Sequence, residues 1–199
     1  MTPREGRPHT EPMVFCRFVP AYETVSPAPP STPLAATAGS LPTGEAAPFV
    51  VVCVACGVLA AVVMDFPMAR QAEGFTPAYI AASVLARSRP SSVAFRSAFV
   101  VHHVAGGAAG VLYALVYLLA AGPLPAVAAV GGVGAVPHLL ATLVVSGFIY
   151  AFFAHLVLPR RGRGIYEERA TAVRGQWLRA VVVFGVTVAV VVPAVTSVF

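Results

Sequence analysis

From residue 48 onward, long apolar runs alternate with short polar connections, and the lengths of the runs decide the architecture. Pro48 to Phe66 reads PFVVVCVACGVLAAVVMDF and Ala98 to Ala121 reads AFVVHHVAGGAAGVLYALVYLLAA. Pro137 to Leu158 (PHLLATLVVSGFIYAFFAHLVL) and Leu178 to Phe199 (LRAVVVFGVTVAVVVPAVTSVF) complete the set. A hydrocarbon core of roughly 30 Å is crossed by about 20 helical residues. A segment in lipid must also satisfy its own backbone hydrogen bonds, which makes these runs helices rather than lone strands. The pattern therefore predicts an all-α fold, an integral membrane four-helix bundle. Pro193 predicts a kink in the last span.

The connections differ in character. Gly122 to Val136 (GPLPAVAAVGGVGAV) is apolar, but its four glycines and two prolines point to a tight surface loop rather than a fifth helix. Thr76-Pro77 reads as a helix start, with Thr as N-cap and Pro at the first helical position. Ile80 and Val84 then share one face, so this segment is expected to lie along the membrane surface. Tyr166, Ala170, Val173 and Trp177 recur at three- and four-residue steps, which predicts a second interfacial helix with Trp177 at headgroup level. Residues 1 to 47 hold nine prolines and no periodic apolar pattern, and read as a disordered tail. Residues 1 to 30 lack the apolar core of a secretory signal, and a native start nearer residue 45 is the alternative. No internal repeat is visible, so an inverted-repeat transporter is not expected.

Composition supports the membrane class. Hydrophobic residues make up 58% of the 199 residues and charged residues 11%, with a mean hydropathy of +0.81; soluble domains carry about 25% charge. The net charge of +5 comes from thirteen arginines without any lysine. They sit in short loops, and no basic domain exists to hold nucleic acid. Arg70, Arg87, Arg89 and Arg96 lie between spans one and two, and Arg160, Arg161, Arg163, Arg169 and Arg174 between spans three and four. The other loop has none, so both basic loops are expected in the cytoplasm and both termini outside, in a multi-pass protein of the cell membrane. Arg160, Arg161, Arg163 and Trp177 are the expected contacts with lipid headgroups.

That orientation puts four ionisable residues at one depth. At about 1.5 Å per residue from each span's midpoint, Asp65, His102, His103 and His155 lie roughly 10–12 Å to the cytoplasmic side. An ionisable residue inside a span is a functional-site hypothesis by default; the bland alternative is a wet helix end. A proton or ion relay needs only Asp65 and one histidine. A b-type haem would need His102 or His103 to face His155, with Gly106 and Gly107 leaving room for the macrocycle. A metal ion would need Asp65 and at least two histidines, although adjacent histidines point about 100° apart.

Cys53 and Cys56 share a helix face but sit nearer the outside, and read as buried packing residues. Gly106 and Gly110 form a small-xxx-small pattern for close helix approach, with Ser146-Gly147 on span three as the expected counterpart. Tyr113 and Tyr117 continue that face, and each hydroxyl would need a partner.

The run Val63-Met64-Asp65-Phe66-Pro67-Met68-Ala69-Arg70-Gln71, then Glu73-Gly74-Phe75-Thr76-Pro77-Ala78-Tyr79-Ile80-Ala81-Ala82 and His102-His103-Val104-Ala105-Gly106, resembles small four-span membrane proteins of unknown function from halophilic archaea. The resemblance implies fold and membrane residence without an activity. The reading is therefore a non-enzymatic membrane component, a small transporter or channel subunit or a partner for another membrane protein or a second copy. A redox protein with one haem or metal is the alternative, and a membrane enzyme using the same layer for acid-base work is a third.

Overall fold

The computed structural model describes residues 46–125 and 127–198, with the side chains of Arg163, Ile165 and Tyr166 outside that description. The expected tail therefore falls almost entirely outside the described residues. The elements are α1 (Ala46–Ala69), α2 (Thr76–Leu85), α3 (Phe95–Ala121), a hairpin of β1 (Ala129–Val130) and β2 (Val133–Gly134), α4 (Ala135–Ala151), a π-helical segment Phe152–Val157, α5 (Leu158–Arg161) and α6 (Arg163–Thr196). A 3₁₀ turn, Pro90–Ser92, precedes α3.

The fold is all-α, and the chain is a multi-pass membrane protein. Four helical stretches are long and apolar enough to cross a bilayer: Ala46–Ala69, Phe95–Ala121, Ala135–Arg161 and Glu167–Thr196. They form a ring in which α1 packs on α3 and α6, and α4 packs on the same two helices. Neighbours run antiparallel, since Asp65 late in α1 meets His102 early in α3, and His138 early in α4 meets Ala189 late in α6. One end of the bundle carries the arginines and α2; the other carries the hairpin.

The α1–α3 contact is the closest in the bundle, and glycine makes it so. A Cβ on Gly106 would lie 2.6 Å from that of Ala61, one on Gly57 would overlap the Gly106 carbonyl oxygen, and one on Gly110 the Cys53 carbonyl. The partner of Gly106 and Gly110 is thus Gly57 of span one, and the expected counterpart on span three is corrected. Ser146 instead fills the space beside Gly185, and Gly147 has no heavy atom within 4 Å of where its Cβ would be. Periodicity marked the small face of α3, but small faces occur on three helices and only packing pairs them. Cys53 and Cys56 are buried and unpaired beside this seam.

Helix α6 differs from expectation. Its 34 residues run without a break from residue 163, about 51 Å at 1.5 Å per residue, so no separate interfacial helix precedes the span. Trp177 is 8% exposed and packs against Phe153 with ring centroids 5.2 Å apart and planes tilted by 58°. It is a core residue, which corrects its expected place among the headgroups. The face that carries Val173 and Trp177 meets α4's continuation rather than lipid.

Each loop also departs in detail. Phe75, not Thr76, is the N-cap residue of α2, and the Thr76 hydroxyl donates to Glu73 Oε2 at 2.7 Å. Ile80 is fully buried, so α2 packs down on the bundle through that face, against α3 and α5. In the apolar loop, Gly131 and Gly132 have φ of 55° and 82° and form the two-residue turn of the hairpin, a geometry that favours Gly-Gly. The Gly131 carbonyl accepts from the Thr196 hydroxyl, which ties the hairpin to the end of α6.

Two prolines leave backbone carbonyls without their helical donors, and side chains supply the missing bonds. In the π-helical pattern the N–H of Leu158 bonds to the Phe153 carbonyl, so the Ala154 carbonyl would be served by residue 159. Residue 159 is proline and has no N–H. Arg174 Nε of α6 donates to that carbonyl at 3.1 Å. Likewise Pro193 cannot serve Ala189, four residues back, and His138 Nε2 donates to the Ala189 carbonyl at 3.1 Å. In lipid, where water cannot fill in, such replacement is what makes a proline in a span tolerable.

Candidate functional site

Two histidine clusters result, one at each end of the bundle. At the hairpin end His138 is 4% exposed. Its Nε2 must carry the proton, because the Ala189 carbonyl can only accept. Its Nδ1 then accepts from the Tyr113 hydroxyl. Tyr117 accepts the Gly134 N–H at 3.0 Å and packs on Phe49 at 5.1 Å. Every polar atom of a neutral His138 is used, and the cluster fastens α3, α4 and α6 together. Both tyrosine hydroxyls have the partners that burial requires.

At the arginine-bearing end, the last turns of α1 bring Asp65 beside the first turns of α3. Asp65 Oδ2 lies 3.1 Å from His103 Nε2 and Oδ1 lies 3.4 Å from His102 Nε2. The two imidazoles stand nearly perpendicular, their planes at 84° with centroids 5.2 Å apart, so their approach to one carboxylate comes from different directions. The glycine seam of α1 and α3 holds this juxtaposition.

Donor and acceptor accounting is decisive here. His103 Nδ1 lies 2.8 Å from the Phe99 carbonyl, one turn back. A carbonyl has no proton, so Nδ1 carries one. A neutral His103 would then turn the lone pair of Nε2 toward a carboxylate oxygen that also offers a lone pair. The 3.1 Å separation is an ion-pair distance, which a proton on Nε2 or on Asp65 would make attractive. His102 Nε2 is 3.2 Å from the Ala61 carbonyl and by the same reasoning carries its own proton, leaving Nδ1 as a lone-pair acceptor. With one such proton the carboxylate and two imidazoles would be electrically neutral as a set. Neutrality is what a site inside a span favours.

His155 does not join them. It lies on the π-helical segment, exposed, with its ring edge-on to Tyr150 at 6.0 Å. The sequence placed these residues at similar distances along their spans, but distance along a span does not say which way a side chain faces. A haem between α3 and His155 would need that side chain turned into the bundle. Among the described residues no group of three His, Cys, Asp or Glu side chains is arranged to hold a metal ion. Arg160 and Arg161 are exposed at this same end; the side chain of Arg163 lies outside the described residues.

Beside His102 is a cavity of about 370 Å³. Met64 of α1, Ala78 of α2, Phe153 of the π segment and Trp177 of α6 contribute to its apolar wall. Pattern reading missed it, since its walls come from six elements and consist largely of residues that look like ordinary core. The loop leading into α2 seals this end. Glu73 Oε1 accepts from Arg169 Nη1 at 2.7 Å, and the Glu73 N–H donates to Gln176 Oε1 at 2.7 Å. The Thr76 hydroxyl and then Arg169 hold the Glu73 carboxyl below its usual range.

Comparison with protein-family models, with curated proteins and with solved structures finds no match.

Proposed function

We propose that this chain is a non-enzymatic component of the cell membrane, a small transporter or channel subunit, in which Asp65, His102 and His103 hold and pass on a proton. The observation that carries this is the His103 geometry: Nδ1 committed to the Phe99 carbonyl and Nε2 3.1 Å from Asp65. A proton shared by a carboxylate and an imidazole can leave in either direction at little cost, and histidine is the side chain suited to exchange near neutral pH. His138 offers no such proton, because its Nε2–H is committed to the Ala189 carbonyl and its Nδ1 to the Tyr113 hydroxyl. The arginine-bearing end is assigned to the cytoplasm on the distribution of loop charge, with Arg160 and Arg161 contacting anionic headgroups.

The test is Asp65→Asn, which keeps the shape of the side chain and its hydrogen-bonding capacity but removes the need for the extra proton. Nitrogen-15 spectra of the parent in nanodiscs are expected to show His103 protonated at both nitrogens, or a protonated Asp65 carboxyl in the infrared. Either signal should vanish in the variant. Proton flux in liposomes should fall at least tenfold. Flux equal to the parent, with the variant folded, overturns the relay.

A further inference from the structure

The cavity beside His102 is built to receive a molecule from the bilayer. We propose that it binds a membrane-soluble amphiphile with a single apolar chain and a hydroxyl head, the hydroxyl donating to His102 Nδ1.

Three observations converge. The cavity's mouth lies between α3 and the α4–π stretch, where Ala105, Ala108, Phe148 and Phe152 line it and are exposed. Those residues belong to spans, so the opening faces the hydrocarbon and admits ligand laterally. Its volume of about 370 Å³ falls in the range of small-molecule sites, and its lining is aliphatic and aromatic, matched to a chain rather than to a polar solute.

The chemistry of the head follows from His102. That residue lines the cavity, its Nε2 proton is directed to the Ala61 carbonyl, and its Nδ1 has no partner among the described residues. A lone pair at the edge of an apolar chamber selects a donor. Alcohols, protonated fatty acids and the ring hydroxyls of hydroquinones share that group, whereas their ethers and esters do not. This inference rests on the reading of the Asp65 site only in that His102 keeps its Nε2–H form, and it joins a protic ligand to the imidazole that borders the shared proton.

Trp177 is the only tryptophan of the chain and lines the cavity, so its fluorescence reports occupancy. The full chain in nanodiscs is titrated with 11-bromoundecan-1-ol and, separately, with the methyl ether of that alcohol. Saturable quenching by the alcohol, at least tenfold weaker with the ether, is expected. His102→Phe should abolish the preference for the alcohol, and Ala105→Leu should abolish saturable quenching by filling the mouth. Competition by undecanoic acid or by a decyl hydroquinone identifies which natural source of hydroxyl fits. Linear quenching that is the same for both probes and in Ala105→Leu overturns the proposal, as does equal saturable quenching by the ether. Either failure with the His103 proton signal intact overturns the cavity assignment alone; loss of that signal overturns the proton site.

Discussion

The two ends of this bundle each bury a histidine beside a carbonyl on a neighbouring helix, yet they do opposite things with it. At the hairpin end His138 completes a closed set: Tyr113 donates to it and it donates to Ala189. At the arginine-bearing end His102, beside the Ala61 carbonyl, and its neighbour His103 both face the Asp65 carboxylate, and the set is not closed by hydrogen bonds. A satisfied buried network rigidifies a core, and a mismatched one is either unstable or a place where something binds. The surroundings agree with the difference. His138 bridges three helices at the point where Pro193 has freed a carbonyl, whereas His102 borders a cavity whose exposed lining belongs to spans.

That contrast breaks first at His138. His138→Ala strands both the Ala189 carbonyl and the Tyr113 hydroxyl, and unfolding in detergent should show a loss of about 3 kcal/mol. In a Pro193→Ala background residue 193 regains its N–H and can serve Ala189 itself. The loss should then shrink by about 1 kcal/mol, a coupling readable in a double-mutant cycle. Equal losses in both backgrounds would mean the histidine does not replace the proline's missing bond.

The glycine seam tests whether the ends are independent. Gly110→Leu would force α1 from α3, costing about 2 kcal/mol, and should erase the His103 proton signal while leaving the Tyr113–His138 contact intact. Gly147→Leu, facing open space, should change stability by no more than about 0.5 kcal/mol.

Arg174→Met leaves the Ala154 carbonyl without its Nε donor, and a loss of about 1–2 kcal/mol is expected. Because Arg174 and His138 serve different helix ends, their losses should add. Strong coupling in the unfolding free energies would show instead that the two prolines are handled by one network.

Glu73 gives the smallest effect and the only one set by acid. Its pKa is lowered in the fold by Thr76 and Arg169, so the stabilisation is present above the ordinary glutamate range and is lost as pH falls through the lowered value. Arg169 is 60% exposed, so solvent screens the pair and its contribution to stability is small. Unfolding of Glu73→Gln followed against pH should match the parent in acid and fall slightly below it near neutrality.

Much of this was legible in the amino-acid order, because each legible feature depends on neighbours along one helix. Run length marked four spans, the arginines marked one end, and equal spacing from the span midpoints put Asp65 level with His102 and His103. What escaped depends on rotation and pairing between helices. The same depth estimate included His155, which is exposed and lies on the π-helical segment. Trp177 carried the signature of an interfacial residue, but α6 continues straight past it and the ring goes inside. The Gly131–Gly132 pair was visible as a loop, and its hairpin required a twist that positive φ at two successive residues supplies.

By itself, then, the sequence determined that this chain lives in a membrane and which four runs are long and apolar enough to cross it. Those properties follow from hydrophobic length and rise per residue, which are local. Only the tertiary structure decided that Gly57 rather than span three receives the glycines of α3, that His138 repairs the bond Pro193 removes, and that Asp65 faces both His102 and His103. Each of these depends on which atoms face one another across a helix interface. In lipid that facing is chosen by close packing and by hydrogen-bond matching, since apolar surface alone does not distinguish one helix neighbour from another.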